Sequence, residues 1–156
     1  MSASKVRIAK DKAELVKSLV LGEGSDGVFP TYADAIAFAA ALGSKRQRRS
    51  PLSNVSQRDP GAISVEIFIS RGYDTLINLL AIVSTKNPKI ISPKDPAAET
   101  QRLQIFEEYA NGGLEILRDE LRGAVDYTER ITLLLISERH RLEETGQYGF
   151  DLSRFL

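Results

Sequence analysis

The chain has 156 residues, 42% apolar and 27% charged, with 21 Lys/Arg balancing 21 Asp/Glu. That length and apolar content suit one domain with a core of its own and exclude a disordered polyelectrolyte. Cysteine is absent and there is one histidine, His140. Disulfides, thiolate nucleophiles, iron–sulfur clusters and Cys-type zinc sites are therefore excluded, and a Ser–His or Cys–His centre has a single imidazole to draw on.

The charge balance holds only in total. Residues 1–62 carry ten Lys/Arg against six Asp/Glu, and residues 63–156 carry eleven against fifteen. Between Asp34 and Asp59 there is no acid, while Lys45, Arg46, Arg48, Arg49 and Arg58 supply five positives. The N-terminus, Met1 to Asp11, is polar and basic without the apolar core of a signal peptide. The most apolar stretch, Leu76–Val83, is far short of the ~20 residues a membrane-spanning helix needs. A cytoplasmic protein with no membrane partner is the expectation.

In chain order, the first predicted helix starts at Asp11 as cap, with Glu14 at capping-box spacing and Leu15, Val16, Leu19 and Val20 at helical intervals. Gly22 and Gly24 end it. Pro30 and Thr31 open a second helix, with Asp34 three residues after Thr31. Its many alanines allow a neighbouring helix to approach closely, which predicts a central, well-buried helix over 31–43. Residues 44–61 form a polar, basic loop broken by Pro51 and Pro60. Residues 63–69 alternate, with Ile63, Val65, Ile67 and Ile69 on one face, and predict a short strand. No partner strand is evident, so a helical turn, or pairing with a loop or a second subunit, is the alternative.

Asp74 is the predicted cap of a third helix running to about Ser84, apolar all round and so expected to be buried on most sides. A loop marked by Pro88, Pro93 and Pro96 leads to a fourth helix from about Ala97. Its stripe is Leu103, Phe106, Ala110, Leu114, Leu117 and Leu121. Gly112-Gly113 interrupts this stripe and marks either a kink or a close backbone approach. Asp126 to about Leu142 is the fifth helix. A short tail from 146 ends in Phe150, Leu152, Phe155 and Leu156, apolar enough to dock. The expectation is a mainly α, compact single-domain bundle of about five helices over 1–156, with a short strand at 63–69.

Catalytic chemistry finds little to work with. Glu66 on the predicted strand is the nearest candidate for a metal-dependent nuclease, but no acid–x–Lys pair accompanies it. Glu107-Glu108 and Asp119-Glu120 read as a solvated helix face. Gly22-Glu23-Gly24-Ser25-Asp26-Gly27 lacks the lysine of a phosphate-binding loop and the strand that a dinucleotide fingerprint follows. No cofactor or metal is implied.

The basic cluster carries more. Arginine forks match phosphate oxygens, and Gln47 can reach a phosphate or a base edge. The candidate nucleic-acid contacts are Lys45, Arg46, Gln47, Arg48, Arg49 and Arg58. Cations after a helix C-terminus also compensate the macrodipole, though one or two suffice. An anionic protein, or the acidic second half of another copy of the chain, is the competing target. A pI near 6.6 argues against DNA, whose binding domains are usually basic overall.

Three strings resemble a known family. They are Phe29-Pro30-Thr31-Tyr32-Ala33-Asp34 running into Phe38-Ala39-Ala40-Ala41-Leu42-Gly43; Arg71-Gly72-Tyr73-Asp74 leading into Leu79-Leu80-Ala81; and Phe106-Glu107-Glu108-Tyr109-Ala110-Asn111-Gly112-Gly113-Leu114. Together they resemble DNA phosphorothioation-associated protein 4, small bacterial Dnd-system-associated proteins, over roughly residues 5–140. The motifs are of packing type and transfer no catalytic residue. The resemblance implies a system that replaces a phosphate oxygen of DNA by sulfur, or restricts DNA lacking the mark, as in phage defence. The resulting expectation is a non-enzymatic accessory protein that contacts double-stranded DNA. Its alternative is a protein–protein adaptor, or a homo-oligomeric subunit, meeting a larger ATPase or nuclease of the same system.

Overall fold

The computed structural model describes residues 4–22 and 27–145. The apolar tail from 146 and the expected helix stop at Gly24 lie outside the described residues. The elements are β1 (Lys5–Val6), α1 (Ala13–Leu19) after a 3-10 turn at Lys10–Lys12, α2 (Tyr32–Lys45), β2 (Ile63–Ser64), α3 (Val65–Ser70), α4 (Asp74–Thr85), a second 3-10 turn at Pro88–Ile91, α5 (Pro96–Leu121) and α6 (Tyr127–Thr145). The architecture is mainly helical, as the periodicity implies, and α3 is the helix added to the expected five.

Two helices form the centre. α2 starts where Thr31 predicts: its hydroxyl accepts from Asp34 N at 3.2 Å, and the Asp34 carboxylate accepts from Thr31 N at 3.1 Å. Reciprocal capping of this kind satisfies two of the N–H groups that a helix start leaves open. α5 is capped by Asp95, which accepts from Ala97 N at 3.0 Å, with Pro96 as first helical residue. α5 continues unbroken through Gly112-Gly113, and of the two readings of these glycines, a kink or a close backbone approach, the close approach is present. A Cβ on Gly113 would lie 1.7 Å from the Ala39 carbonyl oxygen, and one on Gly43 would lie 2.1 Å from that of Tyr109. The two backbones touch, and no side chain fits between them.

Around this pair the core gathers Val6, Ile8, Val16, Leu19, Ile36, Phe68, Phe106, Leu114 and Leu117, with Ile131 and Leu134 of α6 laid on top. Phe68 meets Phe106 edge-on at 5.5 Å between centroids. A smaller cluster joins Ala81, Ile90, Ala98 and Ile105.

Four local expectations are corrected. Of residues 63–69 only Ile63 and Ser64 are strand, and they do have a partner: Val6 and Lys5, antiparallel. Beyond Val6 the N-terminal segment turns its hydrogen bonds to residues 54–56, through Ser56 N to Ile8 O and Lys10 N to Asn54 O, both at 2.8 Å. The antiparallel register sends the residues after Ser64 towards Ser4, whose carbonyl accepts from Val65 N at 3.0 Å, and residues 65–70 then turn into α3, with Phe68 inward and Ile67 and Ile69 exposed. α4 is buried on one side only, through Ile77, Leu80 and Ala81, whereas Leu79 and Val83 are 54% and 57% exposed. Asp11 does not cap α1, because its carboxylate binds Lys12 Nζ at 2.9 Å. Asp74 is the first helical residue of α4 rather than its cap, and Tyr73 in the cap position makes no capping bond to the helix through its side chain.

Candidate functional site: the basic segment and its carboxylates

The basic segment begins as the end of α2. Gln47 takes the left-handed conformation, φ 53°. Its N–H donates to Ser44 O at 3.0 Å and the Arg48 N–H to Gly43 O at 2.8 Å. This is the double bond pattern that closes a helix C-terminus, in which glycine or asparagine usually holds the left-handed position. Lys45, Arg46, Arg48 and Arg49 lie against α5 and α6 around this reversal, with Lys45, Arg48 and Arg49 still exposed on their outer side.

Each of the four meets a carboxylate. Arg46 Nε donates to Glu138 Oε1 of α6. Lys45 Nζ lies 3.7 Å from the other oxygen of Glu138 and donates to its backbone carbonyl at 3.3 Å. Arg48 Nε donates to Glu115 at 2.9 Å, and its Nη2 lies 2.8 Å from the same carboxylate oxygen. Arg49 Nε donates to Glu108 at 2.7 Å and Nη1 to Ser84 Oγ of α4 at 3.0 Å, with the guanidinium 5.8 Å from the Tyr109 ring centroid. Asn111 Nδ2 donates to Ser50 O at 3.1 Å, and the Gly112 position, where a Cβ would come 1.9 Å from Arg48 O, lets the loop lie on the helix. The whole segment is stapled to α5 and α6.

The N-terminal segment is fastened in the same way. The Arg7 backbone N–H and guanidinium both donate to Glu107, 3% exposed, with Arg7 Nη2 at 2.9 Å. This hydrogen bond and the adjacent charge raise the Arg7 pKa. Lys12 is buried between Asp11 and Glu115. Glu107 and Glu108, expected on a solvated face, are buried and paired. Asp119, by contrast, is exposed.

A second node joins α2 to the turn before α4. Asp34, buried, accepts from Arg71 Nε at 2.8 Å and Nη2 at 2.7 Å, from Tyr73 Oη at 2.6 Å and from Thr31 Oγ1 at 2.7 Å. Burial pushes its carboxyl up, but hydrogen bonds from Tyr73, Arg71 and Thr31 together outweigh it, and the net direction is below the ordinary aspartate value. The same bond raises the Tyr73 hydroxyl, helped by burial. Local sequence shows Asp34 only as a capping residue; its arginine and tyrosine partners lie 37 and 39 positions away.

The remaining candidates stand apart. Gln47 and Arg58 are exposed. Arg58 lines a cleft of about 410 Å³ with Lys10, Glu14 and Asp59, a mixture of signs. Glu66 is exposed on α3, away from any strand ladder. Among the described residues, no group of three or more His, Asp or Glu is placed to hold a metal ion, and no helix is long and apolar enough to cross a membrane.

These features define a small helical protein whose clustered charges bind its own loops to its own helices. The three strings that carry the family resemblance meet here. Thr31 and Asp34 of the first clasp Arg71 and Tyr73 of the second, and the third, on α5, receives the basic segment. The chain belongs to the family described as DNA sulphur modification system-associated protein 4, whose model matches residues 5–155. Comparison with curated proteins and with solved structures gives no match.

Proposed function

We propose that this chain is a cytoplasmic accessory subunit of a DNA sulphur modification system, acting by contact with the larger components rather than by chemistry of its own. One observation carries the reading: its clustered charges are engaged internally, while large apolar side chains stay outside on two helices. On α6, Leu133 and Ile136 lie on the face opposite Ile131, Leu134 and Glu138, and Leu135 lies on the flank; all three are about half exposed. On α4, Leu79 and Val83 do the same one turn apart. Apolar groups gathered on a helix face are the usual mark of a protein–protein surface.

The test is reconstitution with the purified ATPase and nuclease subunits of the same system, read by co-migration in size-exclusion chromatography. Wild type co-migrates with at least one of them, and Leu133→Ser/Ile136→Ser or Leu79→Ser/Val83→Ser abolishes this while circular dichroism is unchanged. Failure of wild type to associate with any of them sinks the adaptor reading. A second copy of this chain is the remaining protein partner, detected as concentration-dependent sedimentation.

Direct DNA contact through Lys45, Arg46, Gln47, Arg48, Arg49 and Arg58 is the second reading. Its support is that the ion-paired side chains keep an outer face: Lys45 is 39% and Arg48 44% exposed. Carboxylates at Glu108, Glu115 and Glu138 offset most of that positive charge. Gln47→Ala/Arg58→Ala leaves the four ion pairs intact; a loss of duplex binding supports the contact, unchanged binding takes Gln47 and Arg58 out of it, and absence of binding by wild type removes the DNA reading.

A further inference from the structure

Another acid-free stretch exists. Between Asp74 and Asp95 there is no Asp or Glu, and the charged residues are Lys86, Lys89 and Lys94. All three are exposed, and among the described residues no ammonium of the three has a hydrogen-bond or ion-pair partner. They sit on one short connection, between the end of α4 and the start of α5.

The connection is rigidly held. Ile90 is buried in the smaller apolar cluster, beside Ala81, Ala98 and Ile105. Arg102 Nη1 reaches out from α5 and donates to Ile90 O at 2.6 Å and to Ser92 O at 3.1 Å. Asn87 Oδ1 accepts from Lys89 N at 3.1 Å and starts the 3-10 turn. A loop anchored at its apolar residue and pinned by a guanidinium presents its lysines in a fixed arrangement, so little ordering is needed when a ligand binds.

Helix stability does not account for these cations. Lys86 ends α4, where a positive charge complements the macrodipole, but Lys89 lies beyond that turn. Lys94 precedes Asp95, the cap of α5, and so stands at the end of a helix where a cation is unfavourable. With Asp95 at its far end taken up as the cap of α5 and its three ammonium groups unpaired among the described residues, the loop is suited to phosphates, which lysines meet as point charges without reading sequence.

We propose that Lys86, Lys89 and Lys94 form a contact for the phosphate backbone of duplex DNA. The proposal rests on the DNA-contact reading and moves that contact from residues 45–58 to the α4–α5 connection. It accounts for how a chain of zero net charge can touch DNA: through one local patch, with a shallow salt dependence. Three phosphate contacts correspond to a slope of about −2.7 in log K against log salt, or about a fortyfold loss between 50 and 200 mM.

The experiment is fluorescence anisotropy of a labelled duplex with the full chain at those two salt concentrations. Wild type, Lys86→Ala/Lys89→Ala/Lys94→Ala and Gln47→Ala/Arg58→Ala are compared, with circular dichroism of each. The proposal expects salt-sensitive binding by wild type, at least a tenfold loss in the lysine variant, and no loss in the other. Undiminished binding by the lysine variant overturns this site while leaving the DNA reading standing. Absence of binding by wild type overturns both. Polyglutamate competing as well as DNA of equal charge would reassign the patch to an acidic protein and overturn the nucleic-acid assignment.

Discussion

Residues 45–49 and residues 86–94 are both basic and acid-free along the chain, yet they occupy opposite situations in the fold. The first follows α2, whose backbone lies directly on α5. Its cations therefore land beside Glu108 and Glu115, and beside Glu138 where α6 crosses. The second leads into the N-terminus of α5, where Asp95 is occupied as the cap and, among the described residues, no carboxylate pairs with the lysines. A dense run of positives in sequence thus becomes a structural staple, and a sparser one becomes free surface charge. Charge density along a chain measures surface potential only after the fold has decided which acids come near.

The largest effect should come from separating the backbones that place the first region. Gly113→Ala puts a methyl group where the neighbour is the Ala39 carbonyl, which has no rotamer to yield. Overpacking against backbone should cost about 3 kcal/mol or more, lowering Tm by about 10 °C. With α2 displaced, the basic segment loses its carboxylates and becomes as accessible as residues 86–94. A thermal melt within a few degrees of wild type would show that the two helices are not held this closely.

Next in size is the contrast itself. Arg46→Ala leaves Glu138, 6% exposed at its side chain, with Lys45 and Arg141 at 3.7 and 4.0 Å as poorer partners. Removing one member of a buried pair is strongly destabilising, and these two cations soften the loss to about 2–3 kcal/mol. Lys86→Ala, Lys89→Ala and Lys94→Ala should each stay within about 0.5 kcal/mol. Urea unfolding of the four variants checks this directly. Equal effects in both regions would erase the distinction.

The Asp34 node sharpens it, because there a carboxylate and an arginine are tied together outside either basic run. Its carboxyl is held below the ordinary aspartate value, so the folded state binds its proton less tightly than the unfolded chain does. The stabilisation is then fully present above about pH 4 and is lost as pH falls through the lowered value. Asp34→Asn should cost about 2 kcal/mol at neutral pH and flatten the acid limb of the stability curve. A variant with an unaltered acid limb would show that other carboxylates dominate acid unfolding.

Much of the fold was legible because its signals are local. Thr31 and Asp34 lie three residues apart, Pro96 marks where the long helix opens, and Gly112-Gly113 in an otherwise apolar stripe narrows the choice to a kink or a close approach. The pairing of the basic segment was not legible, since its partners lie 59 to 93 positions away. Periodicity marks a helix face as apolar without saying whether anything covers it, which is why α4 was expected to be buried and exposes Leu79 and Val83. β1 and β2 pair through two residues each, too few for alternation to reveal the partner. The lysines of the α4–α5 connection are spaced rather than contiguous, so no local run marks them, and only the structure shows them without an ion-pair partner among the described residues.

The smallest effect separates two roles for one residue. Read from sequence, Gln47 is a side chain that reaches a phosphate or a base; in the fold it is the residue that closes α2. A non-glycine residue in the left-handed region costs roughly 1–2 kcal/mol, and part of that is recovered because glycine loses more backbone freedom on folding. Gln47→Gly should therefore stabilise the protein by about 0.5–1 kcal/mol. Among the described residues the exposed Gln47 amide makes no side-chain hydrogen bond that would offset the gain. If the position is purely a helix stop, the more stable variant binds duplex DNA as wild type does. A gain in stability accompanied by a loss of binding would return the contact to the basic segment and narrow the difference between the two regions.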